Sequence, residues 1–354
     1  MPSLSTTPNS VRRRLARFAL LPMLVALLAG PSLSHAAPGD ERWSADFGAP
    51  GLTGSSQGWW SAVRSVVDWN GTLVVGGNLT HAGGTPVNNV VRWNGAAFES
   101  LGDGLDGTVT SLAVVGGTLY AAGDFTSSGA TALPNVARWT GSAWVAVGNG
   151  SPDDASELRL VADGADLLLL GRFETVGSPP VFAAHIARWN GSVWSDVGGF
   201  APGVSGVLRA AARVGSILYV GGIKDDGGDP LCSFDGTTWT YDVGALDGEV
   251  QHLAAVGTDL YLAGDFSSAD EGAIALAQLA RWDGVAMSAL TNDVSDVLGM
   301  GEDGGRLFVH GAFVNHPGPF SSWWDGAGWN AGPDRVWGRF GANLTTFARV
   351  GSDL

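Results

Sequence analysis

The residues of this 354-residue chain that could do chemistry are mostly acids in glycine-rich loops. "KDDGGD" at 224–229 holds Asp225, Asp226 and Asp229, and "DGLDG" (103–107) and "SPDD" (151–154) are of similar type. A calcium ion needs several hard oxygen ligands on a loop that can wrap it, so Asp225, Asp226 and Asp229 are the candidate calcium ligands. Aspartate and glycine are also what ordinary turns are made of. Nitrogen ligands are sparser: His81, His185, His252, His310 and His316 are scattered singly, with no spacing that makes a metal pair, and read as structural or surface histidines. Cys232 is the one cysteine, which excludes an internal disulfide. A glycoside hydrolase would need a carboxylate pair, and the loop acids are too numerous and too alike in context to nominate one.

The N-terminus bounds where such chemistry would operate. Arg12, Arg13, Arg14 and Arg17 precede an apolar run from Phe18 to Leu28, and Ser34-His35-Ala36 is a small-x-small cleavage site. Residues 1–36 therefore read as an export signal and 37–354 as the mature domain, secreted, periplasmic or on the cell surface. The apolar run is shorter than the roughly 20 residues a membrane span needs, so no membrane insertion is expected. Removing four arginines and no acid takes the formal charge from −15 to −19. That balance disfavours nucleic acid and anionic lipid as partners. An extracellular protein or glycan is the expected partner, with the chain itself a monomer.

A repeat organises the mature chain. The pairs Arg92-Trp93, Arg138-Trp139, Arg188-Trp189 and Arg281-Trp282 have degenerate versions at Ser233-Phe234 and Trp323-Trp324, giving intervals of 46, 50, 45, 48 and 42 residues. Between them lie β-rich segments ending in glycine, such as "TLVVGGNL" (72), "TLYAAGDF" (118) and "DLYLAGDF" (259). Each unit divides into four short strands, exemplified by "VTSLAVV", "LYAAG", "VARW" and "SAWVAVG". Asn94-Gly95, Thr140-Gly141, Asn190-Gly191, Asp235-Gly236, Asp283-Gly284 and Asp325-Gly326 are expected as two-residue hairpin turns with positive φ at both residues. With 54 glycines, 15 tryptophans and only 15% charged residues, the composition fits many short strands joined by turns.

Four antiparallel strands at this period predict an all-β fold, a β-propeller of four-stranded blades. The glycine-ended strand, the aromatic on the next strand and the tryptophan after a tight turn resemble the kelch repeat, with a short five-residue aromatic spacing (Trp139 to Trp144, Trp189 to Trp194). The "ARWNGSxW … LYxGGxF" form is similar to repeats of secreted bacterial surface proteins and of the fungal cortical cell-polarity marker protein, within the galactose-oxidase central-domain-like superfamily. The resemblance covers residues 43 to 354. A lone fourth strand near Trp43, six complete units from about Ser61 to Trp329, and a first strand in "NLTTFARVGSDL" predict seven blades with the last incomplete, the alternative being six. The oxidase type named by the superfamily needs a tyrosine cross-linked to cysteine, a second tyrosine and two histidines on copper. Cys232 instead occupies the place of Val91 and Ala137, where a small buried residue belongs. "SFDGTTW" (233–239) imitates the Asp-box turn of sialidases, but its glycine follows the aspartate directly and the box fails.

Features present in every unit are what every blade needs. Trp93, Trp139, Trp189 and Trp282, with Phe98, Trp144, Trp194, Trp239 and Trp329, are the expected inter-blade core. The arginines before those tryptophans face the other way and are expected to pair with acids such as Asp124 or Asp265, or to stack on a ring. Strand parity puts the tight hairpins on one face and the long second-to-third and fourth-to-first connections on the other. Recognition is expected on that long-loop face, with His81, Asp124, Arg172, Phe182, Asp265 and Phe320 as candidate binding residues. A non-catalytic binding module is the first functional expectation; an extracellular carbohydrate-active enzyme and a structural module of a larger adhesin are the alternatives.

Overall fold

The computed structural model describes residues 52–54, 63–149, 151–199, 207–223, 229–290, 294–313 and 321–331. Residues 1–36, Trp43 and the 343–354 segment lie outside them. The described residues form six four-stranded antiparallel sheets in chain order, with no α-helix among them. Sheet 2 shows the plan: Val109–Val115, Thr118–Gly123, Val136–Trp139 and Trp144–Ala146 pair each with the next. Sheets 1, 3, 4, 5 and 6 repeat it, starting at Val63, Arg159, Leu208, Val250 and Val294. First strands of successive sheets lie side by side. This succession of twisted sheets, each covering the next, is the arrangement of a β-propeller.

The sheets are joined through their repeated residues. In sheet 2, Trp139 and Trp144 are cross-strand partners with ring centroids 5.4 Å apart, and Trp189–Trp194 in sheet 3 repeats the contact at 5.3 Å. The fourth-strand indole then donates its N–H to the preceding sheet: Trp144 to Leu101 O (3.0 Å), Trp194 to Val147 O (3.2 Å) and Trp239 to Val197 O (2.9 Å). Trp139, Trp144, Trp189, Trp194 and Trp239 are buried as expected, whereas Trp93, Phe98, Trp282 and Trp329 are half-buried. Cys232 is buried opposite Val220, and burial first, then the charge of Asp229, push its thiol up to about 12, so it is an inert packing residue.

Two expectations are corrected. The third-to-fourth connection is a four-residue loop, because Trp93 pairs with Phe98 and Trp139 with Trp144. Its first side chain caps it: Asn94 Oδ1 accepts from the N–H groups of Ala96 and Ala97, and Asp235, Asp283 and Asp325 do the same in their sheets. That side-chain bond makes positive φ unnecessary at Asn94, leaving it to Gly95 alone. The two-residue turn with both φ positive occurs instead between first and second strands, at Asn70-Gly71 and Gly116-Gly117. Arg92, Arg188 and Arg281 pair with acids, but not with Asp124 or Asp265. Arg92 meets Glu99 directly across on the fourth strand, and Arg188 and Arg281 reach Asp166 and Asp259 at the start of the second (both 2.8 Å), since those acids lie one diagonal step away while Asp124 and Asp265 follow the far end of that strand. Leu52–Gly54 was not foreseen as a strand; it pairs with Leu79–Ala82 outside sheet 1.

The repeated glycine closing the second strand answers to backbone crowding. The first strand carries a β-bulge in sheets 1, 2, 4, 5 and 6, and in sheets 2, 4, 5 and 6 the carbonyl two residues before the bulge lies against that glycine. A Cβ on Gly123 would lie 2.0 Å from Thr108 O, and one on Gly264 2.0 Å from Glu249 O. Gly123→Ala and Gly264→Ala are each expected to cost about 2 kcal/mol or more in urea unfolding, while Gly328→Ala, whose Cβ would meet nothing, changes stability by less than about 0.5 kcal/mol.

Candidate functional site

The long-loop face is built around a second repeated device. The second-to-third connections fold into small hairpins, Ser127–Ser128 with Thr131–Ala132, Thr175–Val176 with Val181–Phe182, and Ser268–Ala269 with Ile274–Ala275. One aspartate from the preceding fourth-to-first connection pins each hairpin. Asp106 accepts from the backbone N–H groups of Thr126 (2.7 Å) and Ser127 (2.8 Å) and from both hydroxyls. Asp247 does the same for Ser267 and Ser268, and Asp153 accepts from the N–H groups of Glu174 and Thr175. In each case the backbone N–H of the aspartate also donates to the hairpin. Partial burial works to raise the Asp106 pKa, but the hydrogen bonds from Ser127 and Thr126 overcome it and hold the carboxyl down at about 2; Asp247 is held at about 2 in the same way.

This arrangement accounts for two acid-rich loops. Asp106 of "DGLDG" accepts hairpin N–H and hydroxyl groups and Asp153 of "SPDD" accepts hairpin N–H groups, so both aspartates act as fasteners. Among the described residues there is no cluster of three His, Cys, Asp or Glu able to hold a metal. Asp225 and Asp226 lie outside the described residues; Asp229 lies beside Cys232, whose Sγ is 3.8 Å from its carbonyl. Phe320 is outside them as well. Of the other candidate binding residues, His81 of sheet 1, Asp124 of sheet 2, Arg172 and Phe182 of sheet 3 and Asp265 of sheet 5 are all exposed on long connections or the strands bordering them. Phe182, 64% exposed, pairs with Thr175 on a pinned hairpin, and Arg172 is close enough to Asp154 to lower its pKa, after the larger effect of the Ser156 hydrogen bonds.

A cluster not foreseen from the sequence lies where the inner strands begin. Arg209 of sheet 4 reaches Glu157, just before sheet 3 (3.1 Å), and Glu249, just before sheet 5 (3.8 Å). Arg159 of sheet 3 is half-buried beside it; burial first, then the Arg209 charge, lower its pKa. His252 of sheet 5 is pushed down to about 4 by burial and by Arg159, and is neutral at pH 7. In the strand registers Arg64 and Arg209 fall at the bulges of sheets 1 and 4, whereas Arg159 pairs with Leu170 at the position of Ser65 and Ser111.

No protein-family model matches the chain, and no curated protein matches it. Among solved structures, YjhT has a TM-score of 0.47 at 12% identity over 77% of this chain and 97% of that one. The computationally designed Ika8 protein has a TM-score of 0.47 at 13% identity over 84% and 93%. At such values the fold assignment rests on this chain's own sheets.

Two pH effects follow. Asp106 has a folded pKa below its unfolded value near 3.9, so its contribution is present above pH 4 and lost as pH falls towards 2. Asp106→Ala is expected to cost about 1 kcal/mol at pH 7, allowing for screening at an exposed site, with the gap from wild type closing below pH 3 in denaturant titrations. His252 runs oppositely in origin: its depressed pKa means the unfolded chain takes up a proton between pH 6.5 and 4 that the folded chain refuses. Stability should therefore decline as pH falls through that window, and His252→Gln should flatten the decline.

Proposed function

We propose that this chain is a secreted, non-catalytic binding module, a kelch-like propeller that takes an extracellular glycan or protein on its long-loop face. The carrying observation is the asymmetry of the two faces. One has only two- and four-residue turns, while the other presents hairpins each held by a multiply bonded aspartate. Loops fixed before a ligand arrives lose little freedom on binding, which favours affinity. The leader-like residues 1–36 support export, and the match of 343–354 to a first strand supports a seven-bladed ring in which the six described sheets are blades.

A second reading, an extracellular carbohydrate-active enzyme, is favoured by Glu157, Glu249 and His252 standing with arginines at the inner-strand ends. Turnover of a bound glycan that disappears in Glu249→Gln would install it in place of the first.

The deciding experiment is a glycan-array screen followed by titration of any hit. Phe182→Ala and Arg172→Ala are expected to weaken binding tenfold or more. Val193→Ala and Val285→Ala, at residues 58% and 86% exposed on the tight-turn face, are expected to leave it unchanged. Dependence on Val285 with indifference to Phe182 would move the binding surface to the other face and overturn the proposal.

A further inference from the structure

The sheet 1 hairpin, Leu79–Ala82 with Thr85–Pro86, and the sheet 2 hairpin leave a cleft of about 760 Å³ between them on the long-loop face. That is within the roughly 300–1,000 Å³ of small-molecule sites. Pro86 and Asn88 line one side, Ser127 and Gly129 the other, with Ser100 and Asp103 between. Both sides are fixed without a ligand. Asn88 donates from Nδ2 to Asp103 O (2.8 Å) and accepts the Leu105 N–H at its own carbonyl (3.0 Å), while Asp106 holds Ser127. Asp106 is filled by four donors. Among the described residues no donor or cation meets the Asp103 carboxylate, and Asn88 Oδ1 and Ser100 Oγ are equally unengaged. Asp103 Oδ2 stands over the hairpin tip, where a Cβ on Gly129 would lie 2.3 Å from it. An unpartnered surface carboxylate is ordinary by itself; this one stands between two fixed walls, beside other free acceptors.

We propose that this cleft binds a neutral sugar, with the Asp103 carboxylate accepting hydrogen bonds from two adjacent hydroxyls and Pro86 packing against the ring. This rests on the binding reading above and names the class of ligand and its place on the long-loop face. Free acceptors select a ligand that brings donors, and the two oxygens of one carboxylate suit a vicinal diol. Uronic acids and sulfated sugars are disfavoured, because Asp103 and Asp106 both line the cleft and no lysine or arginine among the described residues does. A single ammonium group would use Asp103 and leave most of the volume unfilled. A smaller cleft of about 340 Å³ lies against the sheet 5 hairpin, with Asp247 and Ser268 in the places of Asp106 and Ser127. The cleft therefore follows from the pinned hairpin and not from an accident of one loop.

The test divides the glycan array into neutral and acidic members and titrates a neutral hit into the full chain by calorimetry. Asp103→Asn keeps the shape and removes the charge. It is expected to weaken the hit about tenfold or more, with an unchanged midpoint in urea unfolding, since the carboxylate supports nothing in the fold. A lowered midpoint in Asp103→Asn would assign Asp103 a structural role and overturn the proposal. Affinity retained in Asp103→Asn but lost in Phe182→Ala would overturn the cleft while leaving the binding module standing. Hits confined to acidic glycans would do the same. A folded chain that binds no glycan, or that binds lysine amide through Asp103 in place of a sugar, would overturn the neutral-sugar assignment and leave the module a protein partner.

Discussion

The indole N–H of a fourth-strand tryptophan donating to the backbone of the sheet before it is the contact on which the rest is arranged. Trp144, Trp194 and Trp239 make it to Leu101, Val147 and Val197, the residue following the fourth strand in each preceding sheet. A lone four-stranded sheet with an aromatic pair on one face has no way to bury it. The bond fixes where the next sheet must lie for that pair to be covered, and gives a buried donor its acceptor. Once the spacing of sheets is set, inner strands are brought together closely enough for Ser65 and Ser111 hydroxyls to accept the N–H groups of Leu112 and Leu160 across the junction.

This dependence explains why so much of the fold was legible. A residue that each sheet needs must recur in each unit, so Arg-Trp pairs and glycine-ended strands marked the sheets at nearly the right boundaries. The glycine is informative in a way its frequency alone is not, because at Gly123 and Gly264 a single Cβ would collide with a carbonyl. The turn chemistry was read less well. Asn-Gly suggested a two-residue turn, but Asn94 also offers a side-chain acceptor, and capping two N–H groups supports a four-residue loop that needs only one residue at positive φ.

Acid-rich loops were ambiguous for a physical reason. An aspartate that could ligate calcium and one that fastens a hairpin have the same local sequence, since both place carboxylate oxygens near glycine-rich backbone. What separates them is a partner about 20 residues away, Thr126 and Ser127 for Asp106 and Glu174 and Thr175 for Asp153, and that pairing appears only when two connections meet on one face. The small, hydroxyl-bearing residues at 126–127 and 267–268 were the visible half of the motif, and they carry weight only beside their aspartates.

The arginine centre was illegible for the opposite reason, since it is not a repeated feature but an irregular use of one. The bulge recurs in sheets 1, 2, 4, 5 and 6, yet its residue varies, reading Arg64, Thr110, Arg209 and Gln251 in the first four of them. A position fixed in place by architecture and released from it in identity is where a propeller can acquire function without disturbing its sheets. Thr110 shows what such a position does when it serves the scaffold, bonding Ala122 O and Leu158 O on either side. Arg159, one sheet on, stands in a regular ladder opposite Leu170, donates from Nη1 to Leu158 O and lies within reach of the charges of Arg209 and Glu157.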